Sequence, residues 1–506
     1  MDASTFVNPS AEYRVLPFWF WNGAIEEGEV VRQIKEMSDK GIGGFCLSPG
    51  PGLQIPHLSS VWFERVKLAA ETAKSLGLKV WLHEEYPHPG SMVGEKVAIG
   101  FPQYRAQHLS FRETTVQGGQ QVDMDLPWGT VLRAIAVPLK RDRCLWDDEE
   151  DISGFIGSNH RQEIYLEKKN RNTYHDKHFD ALNLQHRLYW KAPAGRWRVL
   201  VFLQKEYDQS ETQGTQFDPY NADAMAHFVE TTREPSVSHL EEFFGDTIPA
   251  ILTTDGTHRG NRLPWSPLLP DAFLGRNEYD LLACLPALIT AFGPNTSRIR
   301  YDYFQTLSEL LRDNYHGTSI EWCNRHNVKH AADVPVFRNA HQGSVQIPGT
   351  AGGSEKVGAT ESKEWKNQTA AYRKNPKFTA SLIHQNGQGR VANTCFQDTG
   401  WSLTLQDMKW SVDRLGAMGC NLFNFHGFSY TIDGLRKHHA PPSQFQQNPY
   451  WKHFRLLSDY TGRLSYILSQ GKRVVNIAMV DPVTSLWSHL AHPHMGWKYA
   501  GYDDDE

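Results

Sequence analysis

The sequence predicts an α/β fold: a (β/α)8, TIM-like barrel carrying an inserted, antiparallel β-rich domain of sandwich type. Three observations predict it. Apolar strand-like runs alternate with helix-period runs at both ends of the chain. Between them the rhythm changes to β-like runs separated by turn residues. The barrel-type strand candidates number eight, and most end in polar side chains. The expected division is 1–103 for the first part of the barrel, 104–215 for the insertion, 216–470 for the rest of the barrel, and 471–506 for a C-terminal strand and acidic tail.

Val15 to Trp21 reads as a strand closed by Asn22-Gly23. Val30, Val31, Ile34 and Met37 then recur at helical spacing, and Gly41 stops the helix. Ile42 to Leu47 is the second strand. Ser59 or Ser60 can cap a helix from Val61 to Leu76, which Gly77 ends. Leu78 to His83 is the third strand, with Glu84, Glu85 and Tyr86 at its end. Strand and helix alternating at this pitch mean βαβ units and a parallel sheet. In the insertion, Gly129 to Leu139 and Arg196 to Gln204 are strand-like. The barrel rhythm returns with helices at Ala222–Thr232 and Pro235–Phe244 and a strand at 250–255. Further helices are expected near 279–291, 300–325 and 449–469. The remaining strands are expected at Val328–Val334, Ser344–Ile347, Phe378–His384 and Cys420–His426, with an appended one at Arg473–Val480.

Composition bounds the function. The chain has 506 residues, 40% hydrophobic and 22% charged, enough for a large core without disulfides or metals as staples. A net charge of −5 argues against a nucleic-acid or anionic-membrane partner, and no apolar run approaches the ~20 residues of a membrane span. The start, Met-Asp-Ala-Ser-Thr-Phe-Val-Asn, lacks the pattern of a secretory signal, so a cytoplasmic location is expected. The six cysteines show no CxxC spacing, which leaves zinc and thioredoxin chemistry without support; Cys46 and Cys420 read as inert core residues. There is no G-x-S-x-G nucleophile elbow, and Gly349–Gly353 lacks the Gly-Lys-Ser/Thr of a phosphate loop. No cofactor and no metal site is expected.

The strand ends supply Trp21 and Asn22; His83, Glu84 and Glu85; Asp255 and His258; His330 and Asp333; His384 and Gln385; and Asn424 and His426. A lone strand-end histidine is more often structural than catalytic. Together these residues would ring one mouth of a barrel, where active sites in that fold lie.

The chain resembles glycoside hydrolase family 106, the α-L-rhamnosidases, from about residue 12 to about residue 482. The resemblance rests on Pro17-Phe-Trp-Phe-Trp-Asn-Gly23, Val80-Trp-Leu-His-Glu-Glu85, Pro264-Trp-Ser-Pro-Leu-Leu269, Arg300-Tyr-Asp-Tyr303, Gly400-Trp401 with Asp407-Met-Lys409, and His426 to Tyr430, in order. It implies a catalytic (β/α)8 barrel and inverting hydrolysis by two carboxylates, standing ~6.5–9.5 Å apart to admit a water. The family's acid falls at Gly256 in this sequence and its partner glutamate at Thr394. Both carboxylates are therefore absent at the matching positions, a loss of ~10²–10⁴-fold in acid/base catalysis. His258-Arg259 and Gln397 also depart from the family pattern. The chain shows no dense Asp/Glu cluster of the kind that would demand the family's metal.

The expectation is a repurposed barrel: a cofactor-independent biosynthetic enzyme acting on a small natural product by dehydration, cyclisation or cycloaddition. Glu85 and His258 are its acid/base candidates and Asp255 their orienter. His384, Gln385 and His426 are hydrogen-bond partners, and Trp19, Trp21 and Trp401 the apolar walls. Asn22, His83, Thr394, Asn424 and Tyr430 complete the expected binding surface. The alternatives are a rhamnosidase-like glycosidase in which Glu84, Glu85, Asp255 or Asp398 has taken over the missing roles, and a non-catalytic sugar-binding protein.

Overall fold

A computed structural model describes residues 2–84, 86, 94–165, 179–207, 216–254, 262–333, 345–351, 376–471, 473–480 and 482–490. Its centre is a parallel sheet of β1 (Phe18–Trp21), β2 (Gly44–Pro49), β3 (Lys79–His83), β12 (Ala250–Thr254), β14 (Lys329–Asp333), β15 (Ile347–Ala351), β16 (Ala392–Cys395), β17 (Leu422–Phe425) and β18 (Phe428–Ser429). The order is β17-β16-β15-β14-β12-β3-β2-β1-β18, every pairing parallel. The two ends of this order meet. Strand β18 follows β17 across a cis His426–Gly427 peptide and pairs with β1, and the Leu16 N–H donates to the Phe423 carbonyl at 3.1 Å. The sheet thus curls into a nearly closed barrel. Gly427 is required at the seam, because a Cβ there would stand 2.4 Å from the Phe20 ring.

The parallel strands are short and buried on both faces, and the alternation of side chains separates two cores. One residue of each strand from β2 to β17, bar Ala250 and Leu252 sharing β12, joins Leu16, Phe18 and Phe20 in an inner cluster: Cys46, Trp81, Ala331, Ile347, Ala392 and Leu422. The opposite parity, including Trp19, Trp21, Phe45, Leu47, Val80, Phe423 and Phe425, packs outward against helices. Helix α1 (Glu27–Asp39) turns Val30, Gln33, Ile34 and Met37 to that layer, and helix α2 (Ser60–Ser75) starts where Ser59 accepts a hydrogen bond from the Trp62 N–H.

The antiparallel part comprises β4 (Gln107–Gln117), β5 (Gln121–Asp125), β6 (Thr130–Lys140), β7 (Arg143–Cys144), β8 (Glu150–Asp151), β9 (Ile156–Tyr165), β10 (Phe179–Lys191) and β11 (Arg196–Glu206). Among the described residues, one sheet runs from β13 (Leu263–Trp265) through β4 and β11 to β6, with β7 and β8 on β6, and another runs β5-β10-β9. They pack face to face through Val122, Ala134, Leu188, Trp190, Val199 and Val201. Strand β13 (Leu263–Trp265) comes from the chain beyond β12, yet pairs with β4. The outer face of this sheet packs Ile135, Leu200 and Phe202 on α5 (Thr296–Leu310) and neighbouring helices.

Two expected strands are corrected. Phe378–His384 lies in a helix, α7 (Pro376–Gln385), which buries Pro376, Thr379, Ala380 and Ile383. That spacing is helical, and proline in the first turn is a helix-start signal the strand reading passed over. The strand of that region is β16 instead. Arg473–Val480 forms no strand; it is an exposed, irregular segment. The fifteenth strand begins at Ile347, where the expected one ended.

Candidate functional site

The C-terminal ends of the parallel strands carry the polar residues, and strand parity decides which of them face inward. Phe18 and Phe20 point into the barrel with their rings 6.0 Å apart. His83 packs edge-on against Phe18 at 5.4 Å, and His426 lies 5.4 Å from Phe18 and 4.9 Å from Phe20. His439 stands across the other side of Phe20 at 5.6 Å. Ser48, two residues beyond inward-facing Cys46 on β2, meets His83 Nδ1 at 2.7 Å, both side chains being buried. That bond is the one described for the Ser48 hydroxyl. A buried hydroxyl hydrogen needs an acceptor, so Ser48 donates to Nδ1, and the His83 proton sits on Nε2.

Thr394 and Asn424 face each other across the β16–β17 register and share the inward parity of Ala392 and Leu422. Both are buried, and Asn424 Nδ2 has no hydrogen-bond partner among the described residues. Among the described side chains, the inner end of the barrel is therefore two phenylalanines, three imidazoles, two hydroxyls and an amide. Phe18, Phe20, Ser48 and His439 were not anticipated from the sequence.

Several anticipated residues lie elsewhere. Trp19 and Trp21 have the wrong parity for cleft walls. Trp19 Nε1 donates to Gln33 Oε1 on α1 at 2.9 Å, and Trp21 packs edge-on against Trp62 on α2 at 5.2 Å. Asn22 clamps Thr431 with two backbone hydrogen bonds of 2.9 and 3.0 Å. The Tyr430 hydroxyl accepts from the Glu26 N–H at 2.9 Å; the residue lines an open cavity of about 500 Å³ with Gly23, Gln54, Asp433 and Arg436, not the barrel interior. His384 and Gln385 end α7, a helix that runs into β16, so they sit exposed at the opposite end of the sheet from Thr394. Burial, then the charges of Arg473 and Lys377, lower the His384 pKa. Trp401 is exposed beyond β16. Glu85, Asp255 and His258 lie outside the described residues, as does Gly256.

Glu84, a candidate replacement carboxylate, has another role. Its parity is outward, and Arg233, wholly buried, grips it through two hydrogen bonds of 2.7 Å. Arg233 also donates to Ser319 Oγ at 3.2 Å and lies between the faces of Phe228 and Trp322, at 5.6 and 5.5 Å. Burial alone would pull the guanidinium pKa down; the charge and hydrogen bonds of Glu84 more than offset it and hold Arg233 cationic. Nearby, His330 faces outward to His316 at 3.2 Å; burial, then the charges of His316 and Arg233, keep it neutral. No group of three or more His, Cys, Asp or Glu side chains among the described residues is placed to hold a metal ion.

A second polar cluster joins the two architectures. Arg262, just before β13, donates from Nη1 to His108 Nε2 of β4 at 2.7 Å. Asp218, close by in the chain's return from the insertion, accepts from Ser266 Oγ at 2.5 Å and from the Tyr220 N–H at 3.0 Å, and burial pushes its carboxyl up to about 7.

A family model described as alpha-L-rhamnosidase matches residues 178–503. Among solved structures, the chain is similar to a rhamnosidase from Novosphingobium sp. PP1Y, with a TM-score of 0.60 at 16% identity, covering 93% of this chain and 60% of that one. Among curated proteins, it is 23% identical over 542 aligned residues to one from Formosa agariphila named "Putative beta-glucuronidase", covering 99% of this chain and 44% of that protein. The chain thus spans less than two thirds of the length of either.

Proposed function

The chain belongs to the α-L-rhamnosidase family of glycoside hydrolases, and from that premise we propose that it is a (β/α)8 glycosidase barrel repurposed as a cofactor-independent enzyme acting on a small, largely apolar molecule. The reaction class is dehydration, cyclisation or cycloaddition. One observation carries the reading: Thr394, on the inward row of β16, stands among aromatic rings and uncharged hydrogen-bonding groups, while the side chains of Glu85, Asp255 and Asp333, the carboxylates of neighbouring strand ends, lie outside the described residues. Thr394 occupies the inward strand-end position that the family resemblance assigns to a glutamate, and its hydroxyl is no base near neutral pH. Glu84 is bound to Arg233. Rings and fixed donors suit orientation of a reactive ligand, and orientation alone contributes ~7–11 kcal/mol in favourable intramolecular cases.

The family membership favours a second reading, a glycosidase whose acid and base come from Glu85 and Asp255. The two separate in one experiment. The purified protein is incubated with an aryl α-L-rhamnoside at high concentration, and phenol release is followed by absorbance. The proposal expects none above the protein-free rate, for the wild type and for Glu85→Gln alike. Release by the wild type that Glu85→Gln abolishes would overturn it and establish the second reading.

A further inference from the structure

The open cavity of about 500 Å³ beside Tyr430 is no part of the barrel interior, and its volume falls within the ~300–1,000 Å³ of small-molecule sites. The turn after β1, the loop after β2, the chain after β18 and Gln446-Gln447 wall it. Two glycines make its room. A Cβ on Gly52, whose φ is +92°, would stand 2.7 Å from Arg436 Nε, and one on Gly23 would stand 3.0 Å from the Tyr430 ring. Arg436 is thereby anchored on backbone, donating to the Asn22 carbonyl and, at 3.2 Å, to the Gly52 carbonyl.

The lining holds unspent hydrogen-bonding capacity of both kinds. The carboxylates of Glu26 and Asp433 and the amide of Gln54 make no side-chain bond among the described residues. Arg436 meets only backbone carbonyls there, never a carboxylate. The Tyr430 hydroxyl accepts from the Glu26 N–H and donates to nothing among the described residues. Burial raises its pKa, so it keeps that proton. Glu29 is a different case, neutralised by Arg32 through bonds of 2.6 and 2.8 Å. Two free carboxylates therefore face one guanidinium. An anion would meet the acids, and a polycation would meet the arginine. A neutral molecule rich in hydroxyls suits both, because each hydroxyl donates to a carboxylate and accepts from a guanidinium, amide or phenol. Bonds of that kind to charged partners are the strong ones. We propose that this cavity is a second, non-catalytic binding site for a neutral saccharide unit, gripped through vicinal hydroxyls by Glu26, Gln54, Tyr430, Asp433 and Arg436. Its open rim admits a free monosaccharide or the end of a glycan chain, two sources with one chemistry.

The test is saturation-transfer NMR on the intact chain, titrated separately with D-glucose, D-galactose, D-mannose, maltotriose and cellotriose, and with inorganic phosphate and spermidine as charged probes. At least one sugar is expected to bind saturably, with a dissociation constant of about 1 mM or below. Glu26→Ala and Asp433→Ala each remove an exposed carboxylate that holds nothing else in place, so the fold is expected to stand, with an unchanged circular-dichroism spectrum. Each is expected to weaken the bound sugar by about tenfold. A monosaccharide that binds as tightly as its trisaccharide assigns the site to free sugar; a tighter trisaccharide assigns it to a chain end. Saturable binding by none of the sugars overturns the proposal. So does sugar binding that both variants leave unchanged, which would place the sugar elsewhere on the molecule. Phosphate or spermidine binding more tightly than every sugar, and weakened or strengthened by the two variants, also overturns it, since the site would then select for charge. None of these results depends on whether an aryl rhamnoside is hydrolysed, so this reading and the reading of the barrel fall separately.

Discussion

Arg233→Met is the perturbation whose cost follows most directly from the structure. It strips the cation from Glu84 while keeping much of the side-chain volume between Phe228 and Trp322. Both Arg233–Glu84 hydrogen bonds are 2.7 Å, and the two side chains are 0% and 10% exposed. At an effective dielectric near 20, unit charges about 4 Å apart attract by about 4 kcal/mol. The lost bond to Ser319 Oγ adds about 1 kcal/mol. Removing one member of such a pair leaves a charge stranded in the interior, at a cost of about 3–5 kcal/mol. Glu84→Gln in the same chain removes that charge, so the double variant is expected to recover most of the loss. The assay is urea unfolding followed by tryptophan fluorescence for the wild type, both single variants and the double. A loss below about 1 kcal/mol for Arg233→Met, or additive losses in the double variant, would refute a buried pair whose members compensate each other. The same cycle bears on catalysis: a carboxylate held this way is unavailable as an acid or base.

Phe20→Ala and Trp19→Ala are each expected to cost about 3–5 kcal/mol of stability, because each empties a buried cluster, one inside the barrel and one facing the helices; urea unfolding measures both, and a loss below about 1 kcal/mol for either would contradict its place in a packed core. Asp218→Asn is expected to flatten the pH dependence of stability. The folded carboxyl, near 7, lies above its ordinary value of 3.8, so the wild type loses stability as pH rises between those values, by up to about 4 kcal/mol. Melting temperatures from pH 4 to pH 8 test this, and parallel curves for both proteins would contradict it. Ser48→Ala is expected to release His83 from the Nε2–H tautomer; nitrogen chemical shifts of labelled imidazole report the change, and an unchanged spectrum would show that Ser48 does not set it. His384→Ala, at the far end of the barrel, is expected to leave activity unchanged.

The alternation of strands and helices was legible because each element announces itself locally. Val30, Ile34 and Met37 mark a helix face, and Ser59 marks a cap. What resisted reading was orientation. In Phe18-Trp-Phe-Trp21 both faces of the strand are aromatic, so a period of two fixes no direction. The sign lay elsewhere: Gln33, polar within the buried stripe of α1, is the acceptor that the indole of Trp19 requires. The helix at Pro376–Gln385 was misread because its apolar run is short, and helix and strand periods are hard to tell apart over so few residues. The roles of Glu84 and His330 were hidden for another reason. Their partners, Arg233 and His316, come from helices distant in sequence and carry no local signal. Ser48 falls one residue past the expected end of the second strand at Leu47, although it is the penultimate residue of β2.

The pairing of β13 with β4 bears on how this architecture could have been assembled or taken apart. Leu263 and Trp265 of β13 are fully buried, and their ladder partners, Leu109 and Gln107, belong to the insertion. Excising the antiparallel sheets would not yield a minimal barrel. It would strip the cover from Trp265 and unfasten Arg262 from His108. The two architectures are interlocked, not modular. A graft of this insertion onto another barrel would have to carry β13 with it.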